Sequence, residues 1–462
     1  MNLVKLKAQI RAGTIDTVLV ALPDPFGRLV GKRFRAEAFL DSVLKHGTHG
    51  CNYLLTVNIE MDPLEGFKVA NWEAGFGDFV LRPDLDTIRL IPWQPGAALV
   101  ICDHVRNDGA LVAENPRSVL RNQLDQLRKD GQTCHCASEL EFYLFNQSYH
   151  SAFASGYHDL QPSSDYRIDY HLMQPTRDEP LMRLIRNSMT QARVPVESSK
   201  GEWSRGQHEI NFIYDQALPM ADMHVLFKQG VKEIAEQQGK AVSFMAKYAP
   251  SEAGNSCHIH MSLWKGGRNL FWDSSERAKQ NTHRATRNTH LSGSKLFRQF
   301  LGGLLKYSPD LCLFFAPTIN SYKRYQPGSW APTRMAWALD NRTVGFRVVG
   351  EGDSFRIENR MPGADANPYL AFSAIIAAGM AGVRQNLDCG KEYLGNAYVD
   401  AELARLPSSL SEAAELMNKS KLARAAFGEA VVEFYVHHAR LETKAFNNAV
   451  TDWEKIRYFE RI

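Results

Sequence analysis

The sequence predicts an α+β protein with a small N-terminal unit over residues 1–107 and a larger mixed α/β domain over residues 108–462. A length of 462 residues corresponds to two or three domains of ordinary size. Short β-rich runs bounded by turn residues dominate the first part of the chain, whereas longer helical and strand patterns alternate afterwards. The turn Asn107-Asp108-Gly109 separates the two patterns and is the predicted linker.

The composition is that of an ordinary globular protein. Hydrophobic residues make up 44% of the chain and charged residues 23%, which excludes intrinsic disorder and a collagen-like fibre. The net charge of +3 predicts neither a nucleic-acid partner nor a membrane partner. The seven cysteines form no Cys-x-x-Cys pair, which argues against a zinc ribbon or a disulfide framework and favours a reducing compartment. Because the N-terminus shows no signal-peptide pattern, we expect a cytoplasmic protein.

Four short strands are predicted in the small unit. Thr17–Leu22 is rich in β-branched residues and ends at the turn Pro23-Asp24-Pro25. The other three are Phe79–Leu81, Ile88–Pro92 and Ala98–Cys102.

The larger domain begins with a predicted helix from Pro116 to about Gly131, because leucines repeat along one face. Further helices are predicted over Glu179–Ala192, Met220–Gln238 and Ser294–Ser308, with a buried helix from Pro368. Strands are predicted over Cys136–Phe145, Gln207–Phe212, Ser256–Leu263, Gly345–Val349 and Phe355–Met361. The polar, basic segment Glu276–His290 is predicted to be a solvated surface connection.

Two groups of acidic residues are candidates for cation binding. Glu139 and Glu141 alternate on a predicted strand, so they share one face and repel each other unless a cation lies between them. Glu202 and Glu209 lie on either side of a glycine-containing turn that enters another strand. Taken alone, each pair is also compatible with an ordinary solvent-exposed face.

A third candidate is the segment that contains His258, His260 and Ser262, which share one face of a predicted strand. Two histidines on one face indicate a metal or phosphate site, although one of them is equally compatible with a hydrogen-bonded core residue. The surrounding carboxylates favour magnesium or manganese over zinc, because hard cations prefer oxygen ligands.

An arginine-rich series follows towards the C-terminal part. Guanidinium groups bind phosphate and carboxylate groups bidentately, while acids hold the divalent ions that shield phosphates. Since neither a Walker-type loop nor a Gly-x-Gly-x-x-Gly loop is present, the pattern indicates phosphoryl transfer from ATP without a P-loop. The residues of this series are Arg324, Arg342, Arg347, Arg356, Glu358 and Arg360.

The order of these motifs resembles the glutamine synthetase superfamily. The motifs are Glu-x-Glu, Gly-Gln-x-Glu, His-x-His-x-Ser, Asn-Ser-Tyr-Lys-Arg, Asn-Arg with a second arginine five residues on, and Arg-x-Glu-x-Arg. The resemblance extends over nearly the whole chain. It implies a small N-terminal β-grasp domain plus a larger glutamine-synthetase-type catalytic α/β domain. It also implies a homo-oligomer, usually a dodecamer of two hexameric rings, with active sites between neighbouring subunits.

The resemblance further implies two or three Mg²⁺ (or Mn²⁺) ions per active site and ATP as co-substrate. The residues implied for the first ion are Glu141, Glu202 and Glu209, and those for the second are Glu139, His258 and Glu358. Binding of L-glutamate is implied for Arg324, Arg360 and the backbone near Gly254. Catalytic roles are implied for Arg342, Arg347 and Glu358, and nucleotide binding for His260, Ser262, Arg347 and Arg356.

The chain departs from true glutamine synthetases on the nucleophile side. Trp330 stands where those enzymes carry a flap glutamate that helps to take a proton from ammonium. An indole cannot do this, but it packs against the carbon portion of an organic amine or offers a π-face to its cation. The sequence therefore resembles the γ-glutamyl amine ligase branch, which joins glutamate to polyamines, monoamines or anilines. We expect ligation of L-glutamate to an organic amine through a γ-glutamyl phosphate intermediate, as a first step of amine catabolism or detoxification.

The choice of amine stays open at this point. A polyamine needs carboxylates for its distal ammonium, which Glu60, Asp62 and Glu65 are candidates to supply, whereas Trp330 favours a monoamine. Two alternatives are a true glutamine synthetase that uses ammonium and a non-catalytic relative that kept only the fold. The second predicts lost metal ligands, whereas every matched position here is an acid or a histidine.

Overall fold

The computed structural model describes residues 1–275 and 293–462. The predicted surface connection over Glu276–His290 therefore lies outside the described residues. Two β-sheets organise the described chain, the first within residues 17–105 and the second within residues 133–359.

The first sheet has six strands in the order β2-β1-β6-β4-β3, with β5 paired to β6. Strands β1 and β6 run parallel, and the other pairs are antiparallel. The strands are β1 (Thr17–Pro23), β2 (Leu29–Arg35), β3 (Thr48–Cys51), β4 (Asp78–Pro83), β5 (Arg89–Leu90) and β6 (Ala97–Val105). The helices of this region are α1 (Leu3–Arg11), α2 (Ala36–Ala38), a π-helical turn (Phe39–Val43) and α3 (Leu44–His46).

The two faces of this sheet pack into different cores. Val18 and Val20 of β1 alternate with its other residues and pack with Leu6 of α1 and Phe39 of the π-helical turn. Ala21 points to the opposite face and joins the core of the larger domain. A sheet covered by helices on one face, with the chain crossing between two parallel strands, confirms the expected N-terminal β-grasp domain.

The second sheet has ten strands, and seven of them follow the order β14-β15-β16-β12-β7-β9-β8. Strands β10 and β11 pair with β7, and β13 pairs with β12. The strands are β7 (Thr133–Phe145), β8 (Val196–Gly201), β9 (Gln207–Phe212), β10 (Asp215–Gln216), β11 (Ala241–Ser243), β12 (Cys257–Lys265), β13 (Arg268–Asn269), β14 (Trp337–Leu339), β15 (Phe346–Val349) and β16 (Arg356–Asn359).

Helices cover one face of this sheet. Leu140 and Phe142 of β7, together with Ile259 of β12, point into an apolar core that α4 and α7 close. The described helices are α4 (Pro116–Lys129), α5 (Tyr149–Ala154), α6 (Met173–Gln191), α7 (Ala217–Gln237), α8 (Lys295–Tyr307), α9 (Pro368–Arg384), α10 (Leu410–Lys419), α11 (Lys421–Phe427), α12 (Glu429–Asn448) and α13 (Asp452–Tyr458). Short 3₁₀ turns span Asn52–Leu55, Leu85–Thr87, Cys312–Phe314, Ser321–Lys323, Gly352–Ser354 and Ala397–Val399.

Several helix boundaries follow the capping residues of the sequence. Asn115 accepts a hydrogen bond from the Arg117 amide at the start of α4, and Asn367 accepts one from Tyr369 at the start of α9. Pro368 occupies the first turn of α9, whose side chains are buried through Gly382, as predicted from the long uncharged run.

Some predicted boundaries were wrong. Helix α6 begins at Met173 rather than Glu179, because Pro180 lies inside the helix instead of opening it. The strand predicted over Phe355–Met361 is shorter, and Arg360 lies just beyond its end. The division between residues 107 and 108 falls in the loop between β6 and α4 and stays a prediction.

The seven cysteines are free thiols, in agreement with the absence of a disulfide framework. Among the helices of residues 1–275 and 293–462, none is both long and apolar enough to cross a membrane.

Candidate functional site

The candidate site lies on the face of the second sheet that the helices leave uncovered. Antiparallel pairing places Glu139 of β7 opposite His258 of β12, and Glu141 of β7 opposite Glu209 of β9. On the other side of β12, His260 lies opposite Glu358 of β16. Because strand residues alternate between faces, these polar side chains share one face while their neighbours fill the core.

A first carboxylate cluster consists of Glu141, Glu202 and Glu209, whose nearest oxygens all lie within 4.8 Å of one another. Glu202 reaches the two strand residues because the chain reverses at Gly206, which has a φ of +66°. A side chain at Gly206 would collide with the Leu144 carbonyl, since a Cβ atom there would lie 2.7 Å from that oxygen.

Electrostatics make this cluster unfavourable without a cation. Burial, followed by the charge of Glu202, raises the pKa of Glu141 to about 8. Burial and the three neighbouring carboxylates, Glu202 first, raise the pKa of Glu209 to about 9. The carboxylate oxygens of two buried glutamates and the half-buried Glu202 face one another and match the oxygen-rich environment that Mg²⁺ and Mn²⁺ prefer. The donor set therefore fits the first divalent ion.

Lys200 accompanies this cluster and was not identified from the sequence. Its ammonium group forms an ion pair with Glu202 and lies 3.9 Å from Asp169. Burial disfavours its charge, but Glu202 and Glu209 outweigh burial and raise the pKa of Lys200. Lys200 could have been identified because it lies two residues before Glu202, and side chains two residues apart point to the same side of an extended chain.

A second cluster lies on the other side of β7. The structure brings Glu139 and Glu358 together with His260, with their ligand atoms within 4.8 Å of one another. His260 Nε2 is 2.9 Å from Glu139 Oε1, while Arg356 Nε donates a hydrogen bond of 3.0 Å to His260 Nδ1. Burial opposes ionisation of Glu139, yet His260, followed by Arg360, lowers its pKa.

The resemblance placed His258, rather than His260, in this second ligand set. His258 is buried, and among the described residues its Nδ1 has no hydrogen-bond partner. Burial and the nearby Arg360 and Arg324 lower the pKa of His258 well below its usual value, so the ring is neutral, as a metal ligand must be. The assignment of His258 to the second ion stays a prediction.

Two arginines hold the buried carboxylate of Glu358. Arg347 donates a hydrogen bond of 2.7 Å to Glu358 Oε2, and Arg360 donates one to Oε1. Arg347 also bonds Asp340. Arg342, by contrast, is exposed and has no hydrogen bond or ion pair within the described parts of the chain.

Arg324 and Gly254 form a tightly packed corner beside this cluster. The Arg324 guanidinium is buried and donates hydrogen bonds of 2.8 Å to the Met361 carbonyl and to Ser256 Oγ. A Cβ atom at Gly254 would lie 2.6 Å from Arg324 Cγ, so only glycine allows this approach. Arg324 Nη2 also donates a hydrogen bond of 3.2 Å to the Arg360 carbonyl, so the two residues are neighbours. Their implied role in binding glutamate stays a prediction.

A pocket of about 270 Å³ extends from Glu139 and His260 along β12. His135 and Trp264 stack there with ring centroids 4.9 Å apart, and Tyr214 stacks on Trp264 at 6.4 Å. Ser262 accepts a hydrogen bond of 2.8 Å from Trp264 Nε1. The aromatic rings were missed, although Trp264 continues the alternation of His258, His260 and Ser262. Stacked rings next to acids and Arg356 suit a nucleotide base beside its phosphates.

Trp330 borders the opposite end of the face. It is half exposed, and its φ of +64° is unusual for a residue with a side chain. Its carbonyl accepts a hydrogen bond of 3.4 Å from Arg360, and its ring lies edge to face with Trp203 at 6.5 Å. The Arg167 guanidinium lies over the other ring of this pair, 4.4 Å from the Trp203 centroid. Trp203 and Arg167 were not singled out from the sequence.

Comparison with known proteins gives consistent matches over the full chain. Residues 113–458 match the family model of the glutamine synthetase catalytic domain. The chain is 48% identical to a γ-glutamylethanolamide synthetase of Streptomyces coelicolor, over 99% of this chain and 96% of that protein. It is 35% identical to a glutamate–isopropylamine ligase of a Pseudomonas species, over 100% of this chain and 98% of that protein. A solved structure of GmaS with ADP superposes with a TM-score of 0.82 at 26% identity, covering 98% of this chain and 99% of that one.

Proposed function

The chain belongs to the glutamine synthetase family, and from this premise we propose that it is an ATP-dependent ligase that joins the γ-carboxylate of L-glutamate to a short organic amine. The observation that carries the proposal is the contrast between the two ends of the site. Glu139, Glu141, Glu209 and His258 lie on neighbouring strands of one sheet. Trp330, packed against Trp203, stands at the other end, where a true glutamine synthetase would carry a glutamate. The names of the two relatives, both amine ligases, support the same assignment.

The reaction has two steps. A γ-carboxylate oxygen of glutamate attacks the γ-phosphorus of ATP, so that ADP leaves and γ-glutamyl phosphate forms. The neutral nitrogen of the amine then attacks the acyl carbon, phosphate leaves, and the nitrogen loses a proton to give the amide. Arg324 and Arg360 would hold the carboxylates of glutamate, because buried guanidinium groups bind such groups bidentately. Arg342 and Arg347 would neutralise charge on the transferred phosphoryl group.

Divalent ions, Mg²⁺ or Mn²⁺ and two or three per site, complete this proposal. Glu141, Glu202 and Glu209 would hold the first. Glu139, the buried His258 opposite it and Glu358 would hold the second. When bound, such ions shield the phosphate charges and orient the phosphoryl group. His260, Ser262 and Arg356 would line the nucleotide pocket, with the rings of His135 and Trp264 available for the base.

Trp330 defines the amine side of the proposal. Its ring offers apolar surface to a carbon chain and has no carboxylate with which to bind ammonium. Glu60, Asp62 and Glu65, the candidates for a polyamine ammonium, are all exposed, and the Glu65 carbonyl bonds His437 of α12. Trp330 and the names of the two relatives together favour a small monoamine such as ethanolamine or isopropylamine.

We further propose that the chain acts in the cytoplasm as a homo-oligomer, a dodecamer of two hexameric rings. The free cysteine thiols support a reducing compartment. Size-exclusion chromatography with light scattering tests the dodecamer, which has a mass twelve times that of the 52.1 kDa chain.

The function is tested by following phosphate release and amide formation with glutamate, ATP, Mg²⁺ and a panel of amines. We expect glutamate- and amine-dependent turnover with ethanolamine or isopropylamine and little with ammonium. Turnover supported by ammonium alone, at a rate equal to that with the best amine, would instead indicate a true glutamine synthetase. The absence of turnover with every nitrogen donor would indicate a non-catalytic relative.

A further inference from the structure

We propose that Arg167, stacked on Trp203 at the amine side of the site, excludes amines that carry a second positive charge and so restricts the enzyme to monoamines. The inference rests on the proposed glutamate–amine ligase activity and adds the residue that selects among amines. Three observations support the proposal. They are the contacts of Trp203, the charge of Arg167 that no described carboxylate neutralises, and the cations that Asp165 and Asp169 face.

Trp203 connects the carboxylate cluster to the Trp330 wall. Its backbone N–H donates a hydrogen bond of 3.2 Å to the carboxylate of Glu202, the residue before it. Its ring packs edge to face against Trp330, 6.5 Å between centroids, and the Trp330 carbonyl accepts a hydrogen bond from Arg360. An amine that attacks an acyl group held near Glu202 and Arg360 therefore extends its carbon chain along these two rings.

Arg167 places a positive charge at the edge of this path. Its guanidinium carbon lies 4.4 Å from the centroid of the Trp203 ring, which is within the range of a cation–π contact. Arg167 is exposed and forms no ion pair with any residue that the structure describes. The Trp203 ring therefore holds the guanidinium group in place, while no carboxylate of the described residues neutralises its charge.

The acids near Arg167 are engaged by other cations. Asp165 accepts a hydrogen bond of 2.7 Å from Arg177, and Asp169 lies 3.9 Å from the ammonium of Lys200. Neither carboxylate forms an ion pair with Arg167. Lys200 is paired with Glu202, whereas Arg167 carries a positive charge, unpaired among the described residues, at the edge of the amine path. A neutral or hydroxyl-bearing tail tolerates this charge and a second ammonium is repelled by it.

The expected size of the effect follows from Coulomb's law. Two like charges about 8 Å apart, in surroundings intermediate between protein and water, repel enough to change an equilibrium by roughly five- to tenfold. Because the site is open to solvent, salt reduces the effect. Reversal of the charge at position 167 doubles the free-energy change, and so squares this fold-change, because repulsion is replaced by an equal attraction.

The test compares n-butylamine with 1,4-diaminobutane, which have the same carbon chain and differ by one ammonium group. We expect the wild-type kcat/KM to favour n-butylamine by about tenfold or more, and this preference to shrink at high ionic strength. The ratio of kcat/KM for n-butylamine to kcat/KM for 1,4-diaminobutane is expected to fall by about tenfold or more in Arg167→Glu. In Arg167→Gln it is expected to fall by a smaller factor. The ratio is independent of the fraction of folded enzyme.

The matched control is Arg183→Glu, the same charge reversal at an exposed arginine of α6. It is expected to keep the wild-type ratio. Equal use of both amines by the wild type, or an unchanged ratio in Arg167→Glu, would overturn the inference while leaving the ligase function intact. If n-butylamine, ethanolamine and isopropylamine all fail to give a γ-glutamyl amide, the proposed function itself fails.

Discussion

Glu141 and Glu209 lie directly opposite each other on the neighbouring strands β7 and β9. Cross-strand neighbours of like charge destabilise a sheet, and this pair is also buried. Burial is the largest cause that raises the pKa of Glu141 to about 8 and that of Glu209 to about 9. Such a pair is expected where a divalent ion, rather than the fold, requires the carboxylates.

The first prediction concerns this pair. Glu209→Gln is expected to raise the melting temperature of the metal-free protein, because it removes a buried carboxylate that its neighbours repel. It should also reduce the stabilisation by Mn²⁺ and lower ligase activity by more than about 100-fold, since a metal ligand is lost. Thermal melts with and without Mn²⁺ measure the first two effects. The control Glu236→Gln changes an exposed acid of α7. If Mn²⁺ stabilised Glu209→Gln as strongly as it stabilises the wild type, Glu209 would not be a metal ligand.

The second prediction separates the two histidines of β12. His258→Ala is expected to raise the Mn²⁺ concentration needed for half-maximal binding, because a neutral buried imidazole is removed from the second ion. His260→Ala is expected to raise the KM for ATP, because Arg356 loses the Nδ1 acceptor that orients it. The Mn²⁺ affinity is measured by metal titration monitored by electron paramagnetic resonance, and the KM for ATP by steady-state kinetics. The reverse outcome would assign the second ion to His260, whose Nε2 lies 2.9 Å from Glu139 Oε1.

The third prediction concerns the amine wall. Trp330→Glu is expected to raise kcat/KM for ammonium relative to ethanolamine by about tenfold or more, because a carboxylate binds a small cation that an indole does not. The ratio of the two kcat/KM values is the measurement. Trp453→Glu is the control, since Trp453 is an exposed tryptophan of α13. An unchanged ratio in Trp330→Glu would show that this position does not select the nitrogen donor.

The fourth prediction concerns stability against acid. His438 of α12 is buried among Phe26, Phe67 and Phe434, and burial lowers its pKa to about 4. An unfolded histidine binds its proton near pH 6.5, so the unfolded state holds more protons between pH 6.5 and 4. The free energy of unfolding should therefore fall as the pH drops through this range, by about 2 to 3 kcal/mol from this residue.

His438→Gln removes the titration while keeping a donor for the Leu55 carbonyl, to which His438 Nε2 now bonds at 3.1 Å. Its unfolding free energy, measured by urea denaturation at pH 7 and pH 4.5, should change less with pH than that of the wild type. His150→Gln, at an exposed position, is the control and should keep the wild-type dependence. An identical pH dependence of His438→Gln and wild type would contradict the prediction.

Residues whose position follows from strand alternation could be placed from the sequence. Glu139 and Glu141 were predicted to share a face, and the register confirms it, because a strand leaves no other arrangement for residues two apart. The strand Gln207–Phe212 was predicted with the boundaries that the structure shows. Pro368 and Asn367 marked the start of the buried helix because proline and asparagine each favour that position.

Residues that reach the site through tertiary contacts could not be placed in this way. Arg167 belongs to a loop without periodicity, and only the fold brings it onto Trp203. The start of α6 was misplaced by six residues, because its first turns, before Pro180, carry no apolar repeat and bury the polar side chains of Gln174 and Asp178 instead. The C-terminal helices, including α12 against the first domain, likewise depend on distant partners such as Phe67.

The central claim is that the phosphoryl-transfer end of a glutamine synthetase site serves an organic amine in this protein. The most direct measurement is mass spectrometric detection of the product with glutamate, ATP, Mg²⁺ and an equimolar mixture of ammonium and ethanolamine. We expect γ-glutamylethanolamide as the main product, formed in proportion to the phosphate released. Glutamine as the main product would contradict the claim.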